Sequence, residues 1–430
     1  MPAKVIHFAS FEVDFEQREL RRSGARVPLQ HKPFRILELL LRQPGALVTR
    51  QELAKELWPG LHVDFEHSLN SAVNTLRQTL GDSPRHCRFI ETRSGLGYRF
   101  IAPVEEAASP RKNITNSDYL QGRFFLNKMT NEGVQRAIGC FQSALVEDPS
   151  CALVKTGLAD AYCQLALSGT ACTSDLSHPA REFASDALRT QPSLPEAHIS
   201  MGQVRMLFDW DWSRATDDWN HATHLDPAQP AAHRARARLL AARGCHPEAL
   251  TEIRQAQDLD PLSLPIGFEH AWLLYLAGNF QEAAAQSWKV LSLEPAFAPA
   301  QTILGLSYQQ LGSFDEAITE LANACTCSPR EPSALAALGQ AYAVAGLPDK
   351  AHGILDDLTE EAKHRHVSAY CFALIHAALG QRHLAVDALQ TACAQRDPQL
   401  LWVNVDPRFD ALHSQADFLA LTRHLKVTTD

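Results

Sequence analysis

The segment EHSLNSAVNTLRQTLGD, residues 66–82, carries the side chains of this 430-residue chain that are best suited to recognising another molecule. At 100° per residue Leu69, Ala72, Val73, Leu76 and Leu80 fall on one face of a helix. His67, Ser71, Asn74 and Gln78 lie opposite, with Asn70, Thr75 and Arg77 on the flanks. Amides, hydroxyls and one arginine on an exposed helix face match the edges of base pairs. Asn and Gln can bond adenine bidentately in the major groove, and Arg can bond guanine or a phosphate. Alone, such a face is more often that of a solvated helix, so its neighbours decide the reading.

Those neighbours make a small α+β unit. HFASFEV, RELRRSG and ARVPLQ alternate apolar and polar residues, with a turn expected at Ser23-Gly24, and predict an antiparallel sheet. HKPFRILELLLRQPG places Phe34, Leu37, Leu40 and Leu41 at helical spacing and stops at Pro44-Gly45. Thr49 and Glu52 form a capping box at the start of a second helix, TRQELAKELWPG, ended by Pro59-Gly60. Asp64 is a plausible cap for the third. RFIET and GYRF then flank a glycine-rich tip, in which Gly95 and Gly97 allow a tight reversal. Three helices followed by a β-hairpin predict a winged helix-turn-helix.

VDFEHSLNSAVNTLRQTLGD followed by RFIETRSGLGYRFIAPV closely resembles the OmpR/PhoB-type winged-helix DNA-binding domain over about residues 5–104. The resemblance implies that the third helix reads the major groove of double-stranded DNA and that the wing touches backbone or minor groove. Carried over residue by residue, it puts His67, Ser71, Asn74 and Thr75 at base- or phosphate-facing places, Arg77 at a commonly retained arginine and Thr92 at a wing residue near phosphate. Many members have Thr-Val-Arg-Gly in the wing, whereas this chain has Thr92-Arg93-Ser94-Gly95. The arginine has moved one place, which in a strand changes the face, and leaves Arg99 as the alternative wing cation. With one arginine on the third helix, modest affinity and a shallow salt dependence are expected, and a homodimer on DNA or a partner would compensate.

The remainder is repetitive and helical. Pro227, Pro261, Pro295 and Pro329 follow one another at intervals of 34, with Pro192 and Pro149 extending the series upstream. Gly305, Tyr308, Gly312, Ala317 and Ala324 recur as Gly339, Tyr342, Gly346 and Ala351, and in part as Gly244, Ala249 and Ala256, and as Ala215 and Ala222. Small residues let paired helices approach, glycine ends the first helix and proline follows the second. The pattern resembles the tetratricopeptide repeat, whose helix pairs stack into an all-α superhelix offering a concave surface for a protein or peptide. The nine additional residues between Pro149 and Pro192 are expected as a longer inter-helix loop around SGTACTSDLSHP. The expected organisation is a winged helix over 1–104, a linker over 105–117, repeats over 118–396 and a helical cap over 397–430.

Charge divides in the same place. Residues 1–104 hold 15 Lys and Arg against 11 Asp and Glu, whereas residues 105–430 hold 25 against 38, so the halves meet different partners. The ten scattered cysteines show no C-x-x-C pair, and no histidine pair has the i, i+4 spacing of a zincin helix. The tryptophans of the helical part read as packing residues. No nucleophile elbow, phosphate-binding loop or kinase motif is present, so no catalytic residue, metal or cofactor is expected. No apolar run approaches a membrane span, and the expected compartment is the cytoplasm. The combination resembles one-component transcriptional regulators of the CadC kind, with a protein-interaction adaptor as the alternative.

Overall fold

The computed structural model describes residues 5–9, 11–15, 18–22, 25–57, 66–83, 87–93, 95–102, 104–106 and 117–425. The chain separates into two compact units, residues 1–115 and 116–430.

In the first unit, β1 (Val5–Phe8), β2 (Phe11–Asp14), β3 (Glu19–Arg22) and β4 (Ala25–Val27) form an antiparallel meander. Helices α1 (His31–Leu41), α2 (Arg50–Leu57) and α3 (Glu66–Leu80) follow, with the short strand β5 (Leu47–Thr49) before α2. The hairpin of β6 (Ile90–Arg93) and β7 (Gly97–Phe100) pairs with β5 in the order β5-β7-β6. β8 (Glu105–Glu106), expected in the linker, instead adds to β1 through Ile6↔Glu106 and His7↔Glu105, because β1 would otherwise leave an edge of backbone groups unpaired. Ser23-Gly24, Pro59-Gly60 and Asp64 lie outside the described residues.

One core joins sheet, helices and wing. Phe8, Phe11, Phe89 and Phe100 pack with ring centroids 4.9–6.4 Å apart, and Leu69, Val73, Leu76 and Leu80 of α3 are buried against α1. The alternation of β1 and β2 and the helical spacing of α1 and α3 therefore serve one apolar cluster.

The second unit is a stack of helical hairpins. They are α4 (Ser117–Asn127) with α5 (Asn131–Glu147), α6 (Ala152–Ser168) with α7 (Thr173–Thr190), α8 (Pro195–Val204) with α9 (Trp212–Leu225), and α10 (Pro230–Ala242) with α11 (His246–Leu259). The stack continues with α12 (Leu264–Leu276) and α13 (Phe280–Leu293), α14 (Ala298–Gln310) and α15 (Phe314–Cys327), α16 (Pro332–Val344) and α17 (Pro348–Glu361), and α18 (Ala369–Ala378) and α19 (Arg382–Ala394). Gly244, Gly278, Gly312, Gly346 and Gly380 all turn with φ between +73° and +83° between the two helices of a pair. Ala215, Ala249, Ala283, Ala317 and Ala351 are fully buried. Gly305 has no room for a side chain: a Cβ there would meet Leu321 at 2.6 Å.

The prolines that follow the second helices also give their carbonyls a partner. His198 and His233 hydrogen-bond the Pro192 and Pro227 carbonyls at 2.8 and 3.3 Å, and Gln301 donates to that of Pro295 at 3.2 Å. These histidines are structural. The nine additional residues between Pro149 and Pro192 do not form a long loop. They lengthen α6 and α7 to 17 and 18 residues, with Pro179 inside α7. Tertiary packing of the long pair outweighs the local breaking tendency of SGTACTSDLSHP.

After α19 the chain forms two 3-10 turns, Pro398–Trp402 and Pro407–Leu412, and α20 (Ala416–His424). This segment returns to much earlier helices. Gln399 donates to the Leu167 carbonyl at 3.2 Å, Arg396 to that of Phe208 at 3.3 Å, and Trp402 sets its ring edge-on to Trp272 at 5.8 Å. Among the described residues no helix is long and apolar enough to cross a membrane.

Candidate nucleic-acid interface

Helix α3 presents a row of small polar side chains. Asn70, Ser71, Asn74 and Gln78 are exposed, and Thr75 is half-buried with its hydroxyl turned back onto the Ser71 carbonyl at 3.1 Å. His67 belongs to the same helix, but its side chain lies outside the described part of the structure. Opposite this row Leu69, Val73 and Leu76 are buried to 1% exposure or less, so helix orientation is fixed by the core.

Arg77 departs from expectation. Rather than flanking the polar row, its side chain turns inward and is buried, donating from Nη2 to the Ile90 carbonyl and to Thr92 Oγ1, each at 2.8 Å. It is a clamp between α3 and β6, not a phosphate-facing cation. Helical projection places residue 77 on a flank, but a long side chain on a flank can reach the next element, and here that element offers a carbonyl and a hydroxyl. Thr92 is exposed, and its oxygen is engaged by Arg77.

The wing explains Arg93 and Arg99. Ile90 and Thr92 share a face with Tyr98 and Phe100, and this face meets the core and α3. Arg93, opposite Gly97, and Glu91, opposite Arg99, occupy the other face. Arg93 is about half exposed and pairs with Glu91 at 3.2 Å. Arg99 donates from Nε to Glu91 at 2.8 Å, and this bond holds the Glu91 carboxyl below the usual carboxylate range. The one-place shift of the wing arginine thus puts Arg93 on the face turned away from α3, and Arg99 is a cross-strand ion-pair partner.

Gly95 turns with φ +71°, as a hairpin tip requires. Gly97 serves a different purpose: a Cβ there would lie 2.1 Å from the Val48 carbonyl oxygen, so its hydrogen is what lets β5 pair with β7.

Two devices set the angle between α3 and the wing, and sequence reasoning missed both. Arg50, at the start of α2, pairs with Glu66, donates to Asn70 Oδ1 and to the Tyr98 hydroxyl at 3.2 Å each, and lies 5.2 Å over the Tyr98 ring. Tyr98 itself donates to Asn70 Oδ1 at 2.8 Å. The carbonyl of Asn70 is therefore an internal acceptor, which narrows the outward row to Ser71, Asn74 and Gln78. The second device is Asp82 of the Leu-Gly-Asp exit. Its carboxylate accepts the backbone N–H groups of Ser83, Arg88, Phe89 and Ile90 at 2.7–3.2 Å, after Gly81 has ended α3 with φ +67°. The capping box is the signal that placed Arg50 at a helix start. Its partners, up to 48 residues away, have no local signature.

Residues 24–100 match the family described as "Transcriptional regulatory protein, C terminal", and residues 268–332 and 304–363 match the tetratricopeptide repeat. The transcriptional regulatory protein KdpE of Mycobacterium tuberculosis is 40% identical over 98 residues, which are 23% of this chain and 43% of that protein. The transcriptional regulatory protein CutR of Streptomyces coelicolor is 36% identical over 95 residues, 22% of this chain and 42% of that protein. The chain thus spans less than half the length of these curated relatives. Among solved structures, a chain of the APC/C hetero-tetramer Cut9-Hcn1 superposes with a TM-score of 0.51 at 15% identity, covering 73% of this chain and 57% of that one, a likeness of fold alone. The chain joins an OmpR/PhoB-type transcriptional-regulator DNA-binding domain to a tetratricopeptide-repeat array.

Proposed function

We propose that this protein is a cytoplasmic, sequence-specific transcriptional regulator without a catalytic step, in which the winged helix binds promoter DNA and the repeat array receives a partner or effector. The observation that carries the reading is the exposed, uncharged row Ser71, Asn74 and Gln78 on a helix whose opposite face is locked into the core. Asn and Gln at successive helical turns offer paired donor and acceptor groups to base edges, and Ser71 reaches a base or a phosphate.

The cation supply supports modest affinity. Arg50, Arg77 and Arg99 are engaged internally, leaving among the described residues Arg88 and Arg93 as exposed arginines of the wing region, Arg93 paired with Glu91 on the outer face. With few phosphates neutralised, the logarithm of the binding constant should fall with the logarithm of salt at a slope of magnitude below about 4. Two copies on adjacent half-sites would raise both affinity and specificity.

The test is recovery of genomic fragments by the full chain at low and moderate salt. A regulator enriches a small set of upstream regions sharing a common sequence. Uniform recovery at low salt would favour an adaptor whose winged helix makes protein contacts instead.

A further inference from the structure

We infer that the repeat array binds a small organic anion with an apolar body in a cavity at its centre, where Arg234 supplies the charge that meets the anion. This deepens, and rests on, the reading of the array as the receiving half of a regulator.

The cavity measures about 400 Å³ and is lined from α4 to α18 and by the returning C-terminal segment. Because Gln399, Trp402 and Arg408 form part of its wall, the chain's own tail bounds the space in the array. The volume is in the range of pockets for small molecules.

Its charges are unequally satisfied. Arg123 is bonded to Asp160 at 3.1 Å, Arg238 to Glu269 through both carboxylate oxygens, and Arg408 to Asp406 likewise. Arg234, on α10 one turn before Arg238, lines the same cavity, yet it makes no hydrogen bond or ion pair among the described residues. Desolvation holds its guanidinium below the usual arginine range. A guanidinium keeps its charge even there, so a half-buried one that lines the cavity without a hydrogen-bonding partner is placed to take an anion.

The acids of the lining do not meet that demand. Asp160 and Glu269 are engaged by other arginines, Asp260 is exposed, and burial pushes Glu331 up to about 7. Apolar surface completes the site: Trp272 and Trp402, packed edge to face, stand beside Ile303 and Leu306. A carboxylate, sulfonate or phosphate on an aromatic or aliphatic body fits this combination, with the anion taken bidentately by Arg234. Such a ligand would touch early helices and the C-terminal segment together and hold them closed.

The test uses the full chain without DNA, so it can fail while promoter binding stands, and the reverse. Anilinonaphthalene sulfonate serves as the anionic probe and N-phenylnaphthylamine as its uncharged counterpart, both followed by fluorescence. One sulfonate should bind per chain, at least about tenfold more tightly than the uncharged compound. Arg234→Gln should weaken the sulfonate by about tenfold or more, Arg234→Lys, which keeps the charge but not the fork, should restore only part of the binding, and Arg236→Gln, whose arginine pairs with Glu252 outside the cavity, should leave it unchanged. Circular dichroism confirms that each variant keeps its helices. Equal sulfonate affinity in the wild type and Arg234→Gln, equal binding of the two probes, or several sulfonates per chain would overturn the inference.

Discussion

Arg77 in the winged helix is buried and Arg234 in the repeat array is half-buried, both on well-packed helices, and they have opposite surroundings. Arg77 meets a carbonyl and a hydroxyl at 2.8 Å, whereas Arg234 meets no hydrogen-bonding partner among the described residues. The first arrangement is a joint that leaves only the Arg77 Nε without an acceptor, in which a cation of α3 serves the position of the wing. The second is an unfinished one that a ligand would complete. Residue type and helix position therefore do not tell a structural arginine from a binding one; the list of its acceptors does.

Mutations that break the joint should have the largest effects. Gly97→Ala drives a methyl group into the Val48 carbonyl, and we expect a loss of about 3 kcal/mol or more in the stability of the winged-helix unit, measured by urea denaturation. Arg77→Met keeps the side-chain length but removes both donated bonds. It should cost about 2–3 kcal/mol, and DNA binding should weaken for all sequences alike in proportion to the unfolded fraction. If Arg77→Met leaves stability intact while raising dissociation from every sequence, the arginine faces phosphate and the inward clamp is wrong.

Asn74→Ala probes the other side of α3. Stability should change by less than about 0.5 kcal/mol, while discrimination at one base position falls by about 1–2 kcal/mol, read from competition among single-base variants of the recovered site. Thr49→Ala should cost about 1 kcal/mol, because Thr49 Oγ1 accepts the Glu52 N–H at 3.2 Å and the Thr49 N–H donates to Glu52 at 2.7 Å.

The smallest effect separates the two units by pH. In the winged helix Glu52, bonded by the Thr49 backbone, and Glu91, bonded by Arg99, are held below their ordinary value of 4.5. Their contribution is present above the unfolded value and is lost as pH falls through the lower folded one. In the array, burial raises Asp218 to about 6 and Glu331 to about 7. Between their unfolded values, 3.8 and 4.5, and these folded ones, the native state holds more protons, so stability declines as pH rises through that window. Burial also lowers His198, His246 and His270 of the array, the last to about 4, so these groups oppose the two carboxyls between pH 7 and 5, and calorimetry should show the array transition shifting little over that range while the winged-helix transition moves down only below about pH 4.5. A common shift of both transitions would contradict this.

Much of this was legible in the sequence because it rests on periodicity. The 34-residue recurrence of glycine, alanine and proline located the helix pairs, and the apolar stripe of α3 named a buried face that the structure keeps intact: Leu69, Ala72, Val73, Leu76 and Leu80. What escaped depends on partners distant in sequence. Nothing local to residue 77 reveals the Ile90 carbonyl, and nothing near Asn70 announces that Arg50 and Tyr98 will claim its oxygen. The return of the C-terminal segment to Leu167 and Trp272 spans more of the chain than any local pattern can carry, and with it went the cavity around Arg234.

The most direct measurement is selection of the full chain and its Asn74→Ala variant against random double-stranded DNA at moderate salt. The account predicts one enriched motif for the wild type, and for Asn74→Ala the same motif with preference lost at a single base position. Enrichment of no sequence, or a motif indifferent to Asn74, would contradict a regulator that reads promoters through the exposed row of α3.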